Sequence, residues 1–227
     1  MSRAKTNLTA NTAPGPKPLM RGWSHAAAAV GSVLLTVALC WATREDWPKM
    51  VAMLVFGLSM VEMYTVSAIY HMGRWRDNQL RVLRSLDHSN IFLLIAGTYT
   101  PLAAILLADW VRAALLASVW VLALLGVGLS IFARNVPRGL RSTLYVVMGW
   151  IAVLALPGFW EVLPLTAIGL LGLGGALHTV GAVIYARRSP NPFPRVFGFH
   201  EVFHLLVIAG NVAFVAVMVI WVLPYRA

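Results

Sequence analysis

Long apolar runs separated by short polar, basic or proline-containing intervals make up almost the whole of this chain. The runs are Ser24–Ala42, Met50–Met72, Ser89–Ala108, Ala113–Ala133, Thr143–Phe159, Val162–Ala186 and Val196–Val222. Each approaches or exceeds the ~20 residues that carry a helix across a bilayer. The pattern predicts an all-α polytopic membrane protein, a bundle of seven transmembrane helices. Before the first run, Met1–Met20 is polar and small, with Pro14, Pro16 and Pro18, and is expected to be a disordered tail. Residues 21–227 then form one membrane domain, with nothing left over for a soluble one.

The intervals have their own grammar. Trp41, Trp47, Trp110, Trp160 and Trp221 mark run edges, where amphipathic rings favour the membrane interface. Thr43–Lys49, Asp109–Arg112 and a turn around Trp160-Glu161 are predicted as short loops on one side. Gly73–Arg84 and the proline-rich Arg187–Arg195 are predicted as longer loops on the other. Gly169, Gly172, Gly174 and Gly175 in the sixth run suggest close helix packing. Neither a preceding strand nor a following Lys-Ser/Thr supports reading them as a phosphate loop. Pro101 and Pro164 fall within runs, where a kink is tolerable if neighbours satisfy the freed carbonyl.

Composition agrees: 59% of the 227 residues are hydrophobic and only 11% are charged, far from soluble averages. The net charge of +10 does not signal nucleic acid, because the basic residues sit in loops rather than on a soluble face. With the amino terminus in the cytoplasm, 14 Lys and Arg lie inside and four (Arg44, Lys49, Arg112, Arg226) outside. The positive-inside rule therefore expects a plasma (cytoplasmic) membrane protein with its amino terminus inside and its carboxyl terminus outside. The basic inner face should attract anionic inner-leaflet lipids. The lone Cys40 forms no intrachain disulfide and is read as packing.

Against this apolar background, ionisable residues point to chemistry. His71 lies three residues before Arg74 and Asp87 three after Arg84. His200 and His204 follow Arg195 by five and nine. At 1.5 Å per residue all four fall in about the inner third of the bilayer. His200 and His204, at i and i+4, share one helix face, as two ligands of one ion must. Ser67 lies one turn deeper on the His71 face. Three imidazoles at one level make a zinc-site composition, with the fourth position left for water and with Asp87 and Ser67 suited to hold that water.

Other polar groups fit less well. Glu201 points about 100° from His200 and is not expected to be a ligand; accepting a ring N–H from a neighbouring histidine stays open to it. His88 is expected to serve interface or headgroup contacts, and His25 an interfacial role at the start of the first helix. His178 and Glu62 lie deep, and each must find a partner or stay neutral.

Three blocks, in order, resemble a known family: Ser67-Ala68-Ile69-Tyr70-His71; Leu86-Asp87-His88-Ser89 with Ile95-Ala96-Gly97-Thr98-Tyr99-Thr100-Pro101; and Phe197-Gly198-Phe199-His200-Glu201-Val202-Phe203-His204. They are similar to the hemolysin III group of the progestin and adipoQ receptor family, which includes the adiponectin receptors. The resemblance covers the chain after the tail and implies seven helices with a cytoplasmic amino terminus. It also implies zinc held by His71, His200 and His204, with Asp87 touching it through water and Ser67 nearby. His178 departs from the pattern, which has a tyrosine there.

Two main functions remain open. One is an intramembrane zinc-dependent hydrolase, in which a zinc-bound water attacks a lipid amide or ester; the resemblance points to ceramidase-like chemistry. The other is a non-enzymatic regulator or receptor, with structural zinc and a response to membrane lipid state. A cytolytic pore former, suggested by the group's name, fits poorly, since a polytopic chain with short loops has no soluble form to deliver.

Overall fold

The computed structural model describes residues 17–133 and 136–226. Its seven long helices are α1 (Trp23–Ala42), α2 (Trp47–Met72), α3 (Asp77–Leu106), α4 (Asp109–Phe132), α5 (Arg138–Val162), α6 (Leu165–Arg187) and α7 (Phe199–Val222). All seven are long and apolar enough to cross a membrane. They close a ring: α1 packs on α2, α2 on α3, α3 on α4, α4 more sparsely on α5, α5 on α6, α6 on α7, and α7 returns to α1. Met53, Phe56 and Met60 of α2, Phe92 and Leu102 of α3, and Val217 of α7 are among the most buried core side chains. At the other extreme, Glu62 faces outward from α2.

Several element edges differ from the hydropathy reading. α3 begins at Asp77, three turns before the expected Ser89, so most of the Gly73–Arg84 loop is helix. Gln79 accepts the Arg76 backbone N–H at 3.1 Å and Asp77 lies in the first turn, both good helix-start features. Polar opening turns are invisible to an apolar-run criterion. Trp47–Lys49 and Asp109–Arg112 are likewise helical, and Asp46 caps α2 by accepting from Lys49 N at 3.1 Å. Trp160 and Glu161 remain in α5; the turn falls at Leu163-Pro164, and Pro164 stands just before α6 rather than inside it.

Of the expected disordered tail, residues 1–16 lie outside the described residues. Leu19 and Met20 are ordered by pairing, their N–H groups donating to Arg195 O and Val196 O, both at 3.1 Å. That tie carries the chain from the α6–α7 connection into α1.

α5 is not a regular helix. Residues Trp150–Ala155 form a 3₁₀ segment, and its cause is Tyr99 of α3. The Tyr99 hydroxyl donates to Gly149 O at 2.6 Å and accepts from Ala152 N at 2.8 Å. A side chain inserted into the backbone ladder in this way breaks its regular register. The glycine cluster of α6 is only partly a packing stripe. A Cβ on Gly174 would meet the Phe214 ring at 2.4 Å, whereas Gly169 and Gly172 have open space.

Candidate metal centre

His71 is delivered by the last turn of α2, and His200 and His204 by the first two turns of α7. The chain enters α7 on a firm start, because Glu201 accepts the Gly198 N–H at 2.7 Å. The same carboxylate pairs with Arg21, just before α1. Glu201 is therefore engaged in capping and pairing, and it offers no acceptor to a histidine ring. α1 begins at Gly22, whose φ of 89° lies in the left-handed region. A Cβ there would stand 2.8 Å from Met72 Cγ and 3.1 Å from His71 Cβ, so only glycine lets α1 seat against the end of α2.

One nitrogen from each of His71, His200 and His204 lies within 4.8 Å of the other two. His200 Nε2 and His71 Nε2 are 3.0 Å apart. His71 and His204 are buried and His200 half-buried. A tetrahedral ion bound at 2.0–2.1 Å holds its nitrogens about 3.4 Å apart, so the cluster needs only small adjustments to accept one. His204 Nδ1 is buried with no hydrogen-bond partner, as expected of a ring oriented for something other than its neighbours. The three residues fit a zinc ion.

Asp87 and Ser67 meet beside this cluster. Both line a cavity of about 40 Å³ that also touches His200 and His204, so the Ser67 hydroxyl and the Asp87 carboxylate share one chamber. That volume can hold a water with polar partners. Every site residue expected from the sequence is thus gathered at one end of the bundle. Next to the small cavity lies a larger one of about 280 Å³, bounded by α2, α3, α5, α6 and α7. Met63, Ile91, Tyr145, Ala182 and Phe203 line both, so they separate a polar chamber from an apolar one.

The structure adds residues that sequence reasoning did not place. His25 is fully buried rather than interfacial: its ring stacks on His204 at 3.7 Å with 5° between planes, and its edge meets Tyr64 at 5.1 Å. Its position four residues after Arg21 was the available signal. Tyr185 of α6 packs its ring against His200 at 5.6 Å. Tyr64 accepts from Asn211 at 2.6 Å, tying α2 to α7 one layer deeper. His88 contacts Arg141, and its carbonyl accepts from Tyr145 at 2.9 Å. His178 finds its partners in Gly174 O at 2.8 Å and the stacked Phe214 ring at 5.5 Å.

Comparison with known proteins gives a consistent result. A family model described as haemolysin-III related matches residues 15–215. Hemolysin-3 of Bacillus cereus is 36% identical over 202 residues, covering 86% of this chain and 88% of that protein. The hemolysin-3 homolog of Bacillus subtilis is 34% identical over 163 residues, 72% of this chain and 73% of that protein. Monocyte to macrophage differentiation factor of Homo sapiens is 22% identical over 209 residues, 90% and 83% of the two chains.

Proposed function

The chain belongs to the haemolysin-III related family of multi-pass membrane proteins, and from that membership and its buried histidine cluster we propose an intramembrane zinc-dependent hydrolase of acyl lipids. The observation that carries the reading is the juxtaposition of two chambers: three imidazoles with Asp87 and Ser67 on one side, and a 280 Å³ apolar cavity on the other. The polar chamber suits a carbonyl and a water; the apolar one suits a hydrocarbon chain. His71, His200 and His204 would hold the ion. Zinc so held supplies Lewis acidity, acidifying a water and polarising an acyl carbonyl.

The remaining work falls to the chain's own residues. Asp87 accepts a proton from the attacking water, and the Ser67 hydroxyl orients Asp87 or donates to the oxygen on which charge develops. The water oxygen joins the acyl carbon as the C–N or C–O bond breaks. Asp87 returns its proton to the leaving amine or alcohol, giving a fatty acid and a deacylated lipid. The apolar cavity holds the acyl chain away from water and fixes the carbonyl depth.

In the proposed orientation the amino terminus is cytoplasmic and the site faces the inner leaflet, near the headgroup–acyl junction. The deciding experiment is metal analysis of the purified protein followed by a lipid-extract turnover screen with and without chelator. Zinc at one per chain and chelator-sensitive release of fatty acid support the reading. Stoichiometric zinc without turnover of any lipid favours the second one, a regulator in which the ion is structural and the apolar cavity merely senses lipid.

A further inference from the structure

Three guanidinium groups contact aromatic side chains that line the chamber of Asp87 and Ser67 or pack on its histidines. Arg141 contacts the His88 ring, next to Asp87 in sequence. Arg138 lies over the Tyr185 ring at 5.6 Å, and Tyr185 in turn packs on His200. Arg84 Nε donates to Tyr70 OH at 3.3 Å, and the Tyr70 ring lies 4.6 Å from His71. All three cations lie within electrostatic reach of His88. Among the described residues none of them forms a salt bridge, while Arg21, Arg44 and Lys49 each do. Arg141 Nε is buried with no hydrogen-bond partner.

Their register repeats. His88, Ser142 and Tyr145 line the polar chamber, and each has an arginine exactly one i, i+4 step before it: Arg84, Arg138 and Arg141. The side chains on such a step share a helix face. On α3 and α5, which both begin at this end of the bundle, the preceding turn lies farther out by about 5.4–6 Å. A shell of positive charge therefore sits one helical turn outside the chamber expected to hold the acyl carbonyl. In a phosphate-bearing acyl lipid the headgroup phosphate stands only a few bonds outside that carbonyl. Planar guanidinium groups are well matched to phosphate oxygens.

We propose that Arg84, Arg138 and Arg141 bind the phosphate of a phosphate-bearing acyl lipid, so that the ligand taken by this site is an anionic lipid rather than its neutral counterpart. The inference rests on the lipid reading of the site and names the headgroup; it does not require cleavage. General attraction of a basic surface to anionic membranes would depend on total charge. Here the dependence falls on three particular residues, because each stands one helical turn before a residue that lines the chamber.

The test separates binding from turnover. Full-length protein, stripped of metal with chelator so that no lipid is consumed, is offered phosphatidic acid or diacylglycerol of the same chains in neutral-lipid nanodiscs. Retained lipid is read by native mass spectrometry. Phosphatidic acid should be retained about tenfold or more over diacylglycerol, the range for hydrogen bonds to charged groups, and Arg138→Gln/Arg141→Gln should bring the two close to parity. Arg187→Gln/Arg188→Gln removes the same charge from the end of α6 and should keep the preference. Unchanged melting temperature and, on reloading, unchanged metal content identify the variants as folded. If Arg138→Gln/Arg141→Gln fails that check, Arg84→Gln replaces it in the comparison. Equal retention of the two lipids by the parent protein, or equal loss in the two double variants, overturns the proposal. So does complete displacement of phosphatidic acid by equimolar inorganic phosphate, which would make free phosphate the ligand. A preference for phosphatidic acid in a protein that, with zinc restored, hydrolyses no lipid supports the headgroup site while refuting the hydrolase. Hydrolysis of neutral lipids with no such preference does the reverse.

Discussion

Gly22 offers a sharp test of how the fold holds the histidine cluster. Replacing it with alanine asks an L-residue to adopt φ 89°, a left-handed conformation costing about 1–2 kcal/mol. The new Cβ would also stand 2.8 Å from Met72 Cγ and 3.1 Å from His71 Cβ. Met72 ends in a flexible chain and can move aside. His71 Cβ is fixed to the α2 backbone, so α1 and α2 must part by a few tenths of an ångström, an overpacking cost of about 1–3 kcal/mol. The expected total is about 2–5 kcal/mol of lost stability, concentrated where His71 leaves α2. Misplacing a ligand's support typically lowers metal affinity about 10–100-fold, so zinc binding should fall in that range even in protein that remains folded. Gly31 is the control: it lies inside α1 with nothing within 4 Å of a built Cβ, and alanine there should be neutral or stabilise by about 0.5–1 kcal/mol. The assay pairs denaturation in detergent with a zinc competition titration on both variants. If Gly22→Ala melts and binds zinc as the parent does, the close seat of α1 does not position His71 and the argument fails.

Four further outcomes follow from the same geometry. His200→Ala/His204→Ala should abolish stoichiometric zinc in elemental analysis, and full retention would exclude this histidine cluster as the metal site. Asp87→Asn and Ser67→Ala should keep zinc, with Asp87→Asn reducing lipid turnover by ~10²–10⁴-fold; loss of the metal in Asp87→Asn would make Asp87 a ligand instead. Tyr99→Phe leaves Gly149 O and Ala152 N without their shared partner, so the melting transition should register a loss of about 2–4 kcal/mol, unless α5 relaxes to a regular helix and removes the deficit. Reporter fusions should place the amino terminus and the α6–α7 connection in the cytoplasm and the carboxyl terminus outside; the opposite result would move the site to the outer leaflet.

Much of this architecture was legible before any contact was known. Helix number follows from apolar run length, because a bilayer demands about 20 apolar residues per crossing. That His71, Asp87, His200 and His204 lie at one end of the bundle follows from the fixed helical rise counted from nearby arginines. The shared face of His200 and His204 follows from periodicity alone. These properties are local, each determined within a few turns of one segment. Helix starts rich in polar residues, such as Asp77–Leu86, were hidden for the complementary reason that their stability comes from caps and dipole, not from apolar length.

Tertiary structure decided which faces meet. His71 and His200 stand 129 residues apart in sequence, and equal depth does not by itself say that α2 and α7 turn their histidines toward each other. That choice depends on close approaches such as Gly22 on His71 and Gly174 on Phe214, and on ties such as Asn211 to Tyr64. The same packing drew His25 from its expected interfacial place onto the His204 ring, committed Glu201 to Arg21 and the α7 cap, and let Tyr99 break the ladder of α5. Sequence set His71, Asp87, His200 and His204 at one end of the bundle because position along a helix is a property of one helix. Partnership is a property of two, and it was settled only when side-chain shapes from distant segments fitted together.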